Sequence, residues 1–237
     1  MDYAVIAAGE GSRLLSEGVE RPKPLTLLNG VAMIDRLIRI FLDNEATSVH
    51  IIINEEMRMV REHLQRMKLP VPTHITVKST PSSMHSFYEL SRNLTSESFC
   101  LTTVDTIFRE DEFKRFMHDF RNESADGLMA VSDFIDDEKP LYVNVDDNLR
   151  VSSFTDKPES NSRYVSGGIY GLKRQTAIPV LEQAMQERQY RMRNFQRSLI
   201  AAGLIIKAWP FAKIIDIDHA DDIQKAERFL SAELESN

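Results

Sequence analysis

The chain has one cysteine, no uninterrupted apolar run approaching the roughly 18 residues of a membrane span, and no excess of positive charge. Each absence excludes a class of protein. A lone cysteine, Cys100, leaves no partner for an internal disulfide, so a disulfide-stapled scaffold is ruled out. Cys100 lies in the run FCLTTV and reads as a small buried hydrophobe. No basic-apolar leader precedes the first strand-like segment, so the expectation is a cytoplasmic protein, neither exported nor held in a membrane. The net charge of -7 has the wrong sign for a general nucleic-acid binder, which neutralises phosphates with lysine and arginine. A local cationic pocket for a small anion remains compatible with it. Repeats, low-complexity tracts and Ser/Gly linkers are also missing. One domain over residues 1–237 is therefore expected, with no room for an appended second catalytic domain.

What is present reads as an α/β protein. YAVIAA (3–8), SVHIII (48–53), HITVK (74–78) and SFCLTTVD (98–105) are short apolar strands. Between and after them lie helical segments. AMIDRLIRIFLDN places Met33, Ile34, Leu37, Ile38, Phe41 and Leu42 on one face. EEMRMVREHLQRM and SMHSFYELSRNL follow, and EDEFKRFMHDFRN opens with acids that suit the positive end of a helix dipole. Four alternations of strand and helix predict a doubly wound, mainly parallel sheet with helices on its faces. The second half adds strand-like GLMAVSDF, LYVNVDDNLRVSSF and RYVSGGIYGL, with a tight turn at VDDNLRV, which makes the sheet mixed. A helical stretch from Gln175 to Ala202 breaks near Arg188. LIIKAWPFAKIIDID then reads as a strand pair, and DDIQKAERFLSAEL as a terminal helix. The basic run RQYRMRNFQR reads as a solvated helix face, the lesser alternative being a contact to a phosphorylated ligand.

The stretch AAGEGSRLLSEGVERPKPL (7–25) has no periodicity, and it follows the first strand, where α/β sheets bind ligands. It lacks the third glycine of GxGxxG, since Leu14 stands there, and it lacks the GxxxxGK[ST] pattern of a P-loop. Gly9 and Gly11 remove side chains where backbone amides can approach an anion. Arg13 and Lys23 supply fixed cations, with Arg21 as a support. Pro22 and Pro24 restrict the backbone on both sides of Lys23.

AAGEGSRL followed by RPKPL resembles the signature of the nucleotidyltransferases that make activated sugars and related head groups, written AAGxGxRL and then PKPL. The match falls on Ala7, Ala8, Gly9, Gly11, Arg13, Leu14, Pro22, Lys23, Pro24 and Leu25. The resemblance implies a Mg²⁺-dependent enzyme that joins a nucleoside triphosphate to a phosphorylated acceptor and releases pyrophosphate. It implies Arg13 and Lys23 as catalytic cations and Ala8, Gly9 and Gly11 as nucleotide contacts. It also implies Asp105 as a metal ligand past the end of a buried strand. No DxD stands there, since Thr106 and Ile107 follow, which favours nucleotidyl over glycosyl transfer. KIIDIDHADDIQKAE resembles the family's closing element and implies Asp216, Asp218 or both as further metal ligands. Their spacing puts both on one strand face, Asp218 being alternatively a helix cap, and Asp221 and Asp222 read as first-turn helix acids.

SFTDKPE resembles the family's Glu-Lys-Pro element at the acceptor, with Lys157 in the lysine position and Asp156 where glutamate is usual. VSGGIYGL resembles its glycine-rich strand, placing Gly167 and Gly168 beside the acceptor. The base-recognition segment is KSTPSSMHSFYEL. Ser83 and His85 are assigned to the nucleotide there, His85 being equally readable as a packed or capping histidine and Ser82 or Ser83 as a helix N-cap. This segment resembles that of cytidylyltransferases for phosphocholine-type head groups. The acceptor is thus read as a sugar 1-phosphate, with a phosphocholine-like group as the alternative. A non-catalytic nucleotide-sugar-binding module is the reading of another class, disfavoured because Arg13, Lys23 and Asp105 are all present. The partners are small molecules, with no nucleic acid and no membrane.

Overall fold

The computed structural model describes residues 1–136, 138–160 and 162–234. Its first strand, β1 (Asp2–Ile6), is buried on both faces. Tyr3 and Val5 point into one apolar cluster, Ala4 and Ile6 into another on the opposite face. A short helix α1 (Ser12–Ser16) follows, then a 3₁₀ turn over Lys23–Leu25 and a small hairpin, β2 (Leu27–Leu28) and β3 (Val31–Ala32). The stretch 7–25, without periodicity in the sequence, therefore contains helical turns.

Next come α2 (Met33–Asp43), β4 (Ser48–Ile53), α3 (Arg58–Arg66), β5 (Thr73–Val77), α4 (Ser83–Ser91), β6 (Ser98–Thr103), the two-residue β7 (Thr106–Ile107) and α5 (Glu110–Asn122). The second half carries β8 (Gly127–Ser132), β9 (Tyr142–Val145), β10 (Val151–Thr155), β11 (Tyr164–Lys173), α6 (Arg174–Gln186), α7 (Met192–Ala201), β12 (Ile206–Phe211), β13 (Ile215–Asp216) and α8 (Ala220–Leu234).

The main sheet runs β12-β8-β11-β6-β1-β4-β5, with the β9–β10 hairpin beside the start of β11. β1 pairs in parallel with β4 and β6, β4 with β5, and β12 with β8, while β11 is antiparallel to its neighbours. The sheet is the mixed, mainly parallel one expected. The aromatic face of α5, with Phe113, Phe116 and Phe120, packs with α2 and α3 on one side of it. α4, α6 and α7 cover the other. Cys100 is fully buried, and burial pushes its thiol far above the ordinary range. The sheet order reverses at β1 and β6, so the loops after these two strands open a crevice at their carboxyl ends.

One expectation is corrected. β12 and β13 do not pair with each other: β12 joins β8, and β13 joins β7. The 212–214 link carries the chain off the main sheet, and this moves Asp216 to the mouth of the crevice. Between α6 and α7 the chain breaks at 187–191, where Arg188 and Arg191 have φ of 57° and 70°. The turn at VDDNLRV forms as expected, Asp146 Oδ1 accepting the amides of Asn148 at 2.8 Å and Arg150 at 2.9 Å.

At the opposite end of the sheet Asp2 is 1% exposed. Its carboxylate accepts Ser48 Oγ at 2.8 Å, Ser96 Oγ at 2.5 Å, and the amides of Thr95 at 2.7 Å and Ser96 at 2.9 Å. Burial works to raise its pKa, but the Ser96, Ser48 and Thr95 donors outweigh burial and hold it below the usual carboxylate range. A depressed pKa contributes stability that is present above the unfolded value and lost as pH falls through the folded one. Asp2→Ala is expected to cost about 3 kcal/mol, since four donors lose a charged acceptor. It should also flatten the acid limb of the stability–pH curve. Chemical denaturation from pH 3 to 7, roughly the carboxylate range, measures both. A variant that melts like the parent at every pH contradicts this role.

Candidate active site

Three segments far apart in the chain meet at the crevice. The loop after β1 brings Arg13 and Lys23, the end of β6 brings Asp105, and the end of β13 brings Asp216 and Asp218. Lys23 is the hub. Its ammonium contacts Asp105 and lies 3.0 Å from Asp218 Oδ1, and the side chain is 9% exposed. Arg13 NH1 reaches the other Asp218 oxygen at 3.1 Å and is half-exposed. Burial works to lower the Lys23 pKa, but the charge of Asp105 and then that of Asp218 outweigh it and raise it, so the ammonium keeps its proton at neutral pH.

Local chemistry explains the placement. Gly11 has φ +63°, and a Cβ there would lie 2.9 Å from Lys23 Cβ. Gly11 is therefore required for close packing of the two loop segments. Gly9 has open space where its Cβ would point. Pro24 and Leu25 are buried beside Lys23, so the turn that presents the ammonium is anchored in the core. Arg21 is exposed and lines neither cavity described below.

Asp216 sits opposite Thr106 in the β7–β13 ladder and accepts from Thr106 Oγ1 at 3.1 Å, while the Ile217 amide donates to the Asp105 carbonyl at 3.1 Å. Asp218 lies beyond β13, not on a shared strand face with Asp216, although both line one cavity. It does not cap α8. Asp222 Oδ2 does so, accepting the amides of His219 at 2.8 Å and Asp218 at 3.2 Å, and Glu17 adds the Ala220 amide at 2.6 Å. The His219 ring bonds the same Glu17 at 2.6 Å, which ties the loop carrying Arg13 to the start of α8. No sequence pattern pointed to this tie, because Glu17 and His219 are 202 residues apart.

Two cavities flank the Lys23 cluster. One, of about 440 Å³, is lined by Ala8, Gly9, Glu10, Asn54, Ser79, Thr80, Ser82, Ser83 and Ser86, with Lys23 and Asp105 at its inner end. Asn54 fixes its floor by donating to the Ala8 carbonyl at 3.2 Å. The other, of about 260 Å³, is lined by Arg13, Phe134, Ser166 and Gly167 with Asp136, Glu138, Asp216, Asp218 and Asp222, and also by His219 and Lys225. Gly167 and Gly168 lie in an irregular stretch where β11 slips register against β8. Gly168, with φ +72°, lets β11 pass Thr106, whose Oγ1 would be 3.1 Å from an added Cβ.

Of the predicted residues, Ala8, Gly9, Ser83, Lys23 and Asp105 share the first cavity, and Arg13, Asp216 and Asp218 share the second. His85 lines neither. Its Nδ1 and Ser82 Oγ share a 2.9 Å hydrogen bond, and its ring packs on Tyr190 at 5.1 Å between centroids, so it takes the packed reading. Ser82 stands at the N-cap of α4, but its hydroxyl serves the histidine and accepts the Arg191 amide at 3.4 Å rather than capping its own helix. Lys157 is exposed and lines neither cavity.

Among the described residues no group of three or more His, Cys, Asp or Glu side chains is gathered closely enough to hold a metal alone. Asp105, Asp216 and Asp218 thus do not form a ready-made cage. The donors that are present suit Mg²⁺, which takes one or two carboxylates and completes its shell with substrate phosphates and water. Asp105, just before β7, and Asp216, opposite Thr106 on β13, are carboxylates that could each supply an oxygen to such an ion.

A profile of the family described as nucleotidyl transferase matches residues 3–231. The chain belongs to that family. It is 23% identical over 244 residues to the bifunctional protein GlmU of Thermodesulfovibrio yellowstonii, covering 97% of this chain and 52% of that protein. It is 20% identical over 172 residues to GlmU of Methanococcus aeolicus, covering 72% of this chain and 39% of that protein. The chain thus spans about half or less of the length of these relatives. Among solved structures, the inositol-1-phosphate CTP transferase from T. maritima superposes with a TM-score of 0.79 at 19% identity, covering 97% of each chain. A putative glucose-1-phosphate thymidylyltransferase from Bacillus anthracis superposes at 0.83 and 16% identity, covering 97% of this chain and 94% of that one. The shared fold is the nucleotidyl transferase fold expected from the sequence. Among the described residues no helix is long and apolar enough to cross a membrane.

Proposed function

We propose that the chain catalyses nucleotidyl transfer from a nucleoside triphosphate to a phosphorylated small-molecule acceptor, with release of pyrophosphate. The observation that carries this reading is that two cavities of ligand size open on one cluster, Lys23, Arg13, Asp105 and Asp218. The larger cavity takes the triphosphate and the smaller takes the acceptor. An acceptor phosphate oxygen forms a bond to the α-phosphorus, and the bond from that phosphorus to the bridging β-phosphate oxygen breaks. The attacking oxygen is already ionised, so no general base is needed. The task is to bring two anions together and hold them in line.

The residues present meet that task. Lys23, desolvated and held charged, donates to the phosphate oxygens that gain charge, and Arg13 does so from the acceptor side. Asp105 and Asp218 hold these cations in place before substrate arrives. Mg²⁺ held by Asp105 and Asp216, when bound, supplies neutralisation of the phosphate charge. That all of these side chains are gathered at one point supports catalysis over a purely binding role.

The acceptor is read first as a sugar 1-phosphate, in keeping with the relatives. A second reading has a specific observation behind it. The acceptor cavity carries five carboxylates against Arg13, Lys225 and His219, and Phe134 lines it as well. Such a wall favours an acceptor with a cationic group beside its phosphate, as in phosphocholine. Pyrophosphate release with ATP, CTP, GTP and UTP against glucose 1-phosphate, inositol 1-phosphate and phosphocholine, with Mg²⁺, tests both. Release that requires a nucleotide and an acceptor together is expected. Release on phosphocholine alone selects the second reading, and no acceptor-dependent release with any pair overturns the proposed activity.

A further inference from the structure

Helix α7 braces the acceptor cavity from outside. Gln196, 3% exposed, accepts Ser166 Oγ at 2.9 Å and donates to Tyr170 OH at 3.2 Å, and Ser166 lines the cavity. Arg193 NH2 donates at 3.0 Å to the carbonyl of Lys139, which stands between the cavity-lining Glu138 and Pro140. Its NH1 lies 2.5 Å from Asp156 Oδ1. Arg197 NH2 takes the other Asp156 oxygen at 2.8 Å, and its Nε donates to the Phe154 carbonyl at 3.1 Å.

Asp156 is thus gripped through both oxygens by two guanidiniums on successive turns of one helix. The hydrogen bonds from Arg197 and then Arg193, with their charges behind them, hold its carboxyl below the usual carboxylate range. The basic run on α7 is not the solvated face expected, and Asp156, where the resemblance implies an acceptor contact, does not line the cavity. An isolated exposed ion pair contributes little to stability. The value here is geometric: planar guanidiniums bonding a carboxylate and two carbonyls fix three chain segments relative to one another.

We infer that Asp156, Arg193 and Arg197 form a clamp that positions the wall of the acceptor cavity, and that Asp156 is a positioning residue rather than a contact to the acceptor. The kinetic consequence rests on the proposed nucleotidyl transfer. The clamp itself does not.

Two readouts keep them apart. The first is amide hydrogen exchange of the free, full-length protein. Asp156→Ala and Arg193→Met should each speed exchange at 138–141 and 154–157, and Asp156→Glu should stay close to the parent. Asp156→Asn, matched in size, replaces the alanine variant if that one does not fold. Unchanged exchange at both segments overturns the clamp. The second is steady-state kinetics with glucose 1-phosphate and phosphocholine as acceptor probes. Each single variant should raise the acceptor KM about tenfold and change the nucleotide KM by less than about twofold. The double variant Asp156→Ala/Arg193→Met should lose less than the sum of the two single losses, because the singles share the Asp156–Arg193 pair. Additive losses would mean that Asp156 touches the acceptor, which overturns the inference. A parent protein that turns over neither probe nor any other pair defeats the proposed activity, while the exchange result still decides the clamp.

Discussion

Lys23→Ala is expected to lower turnover by ~10²-fold or more, the order attached to losing one oriented donor in a desolvated site. Arg13→Ala should fall in the same range. The two variants separate in stability. Lys23 is buried against Asp105 and Asp218, so its removal leaves carboxylates packed together without their counter-ion. The loss is expected at about 1–2 kcal/mol, below the cost for a fully buried pair because Asp218 is half-exposed. Arg13 is itself half-exposed, and its removal should leave the melting temperature near that of the parent. In the sequence both stand in an aperiodic stretch outside the apolar core segments, which gives no reason for a stability cost. The burial of Lys23 changes that for one of them. Steady-state pyrophosphate release and thermal melting of the two variants are the measurements. Near-parental turnover in both removes the loop from catalysis. Equal melting shifts contradict the view of Lys23 as the hub.

Asp105→Asn should raise the Mg²⁺ concentration needed for half-maximal activity by about 10–100-fold, because an amide keeps the shape of the side chain and loses its charge. Chelation should abolish activity in the parent. Asp216→Asn is expected to show the same metal phenotype with its fold intact, since an amide oxygen can still accept from Thr106 Oγ1. Asp218→Asn should behave differently. Asp218 holds Arg13 and Lys23, so its loss lowers kcat while the Mg²⁺ midpoint stays close to that of the parent. A Mg²⁺ titration of the three variants, with melting curves alongside, distinguishes these roles. If Asp105→Asn and Asp216→Asn titrate like the parent, the metal ligands lie elsewhere. If Asp218→Asn alone shifts the midpoint, the assignments of Asp216 and Asp218 must be exchanged.

Much of this was legible in the chain because it is local. Alternating apolar strands and amphipathic helices declare a doubly wound sheet, since each buried strand must be covered on both faces. AAGEGSRL and RPKPL mark a candidate anion site because glycines, prolines and fixed cations appear together at a strand end. The break near Arg188 and the turn at VDDNLRV were visible for the same reason: each depends on a few neighbouring residues.

What the sequence by itself determined is the sheet, the loop after its first strand, and the residue types that the chemistry needs. What only the tertiary structure decided is which of them meet. Asp218 could be read as a helix cap until the fold set it against Arg13 and Lys23 and gave the capping of α8 to Asp222 and Glu17. His85 could be read as facing the nucleotide until the 187–191 turn brought Tyr190 onto its ring. Asp156 could be read as an acceptor contact until α7 supplied two arginines 37 and 41 positions further on. The physical reason is common to all three. A carboxylate or imidazole takes its role from the charges and donors within about 4 Å, and over separations of tens to hundreds of residues those neighbours are chosen by packing, not by local pattern.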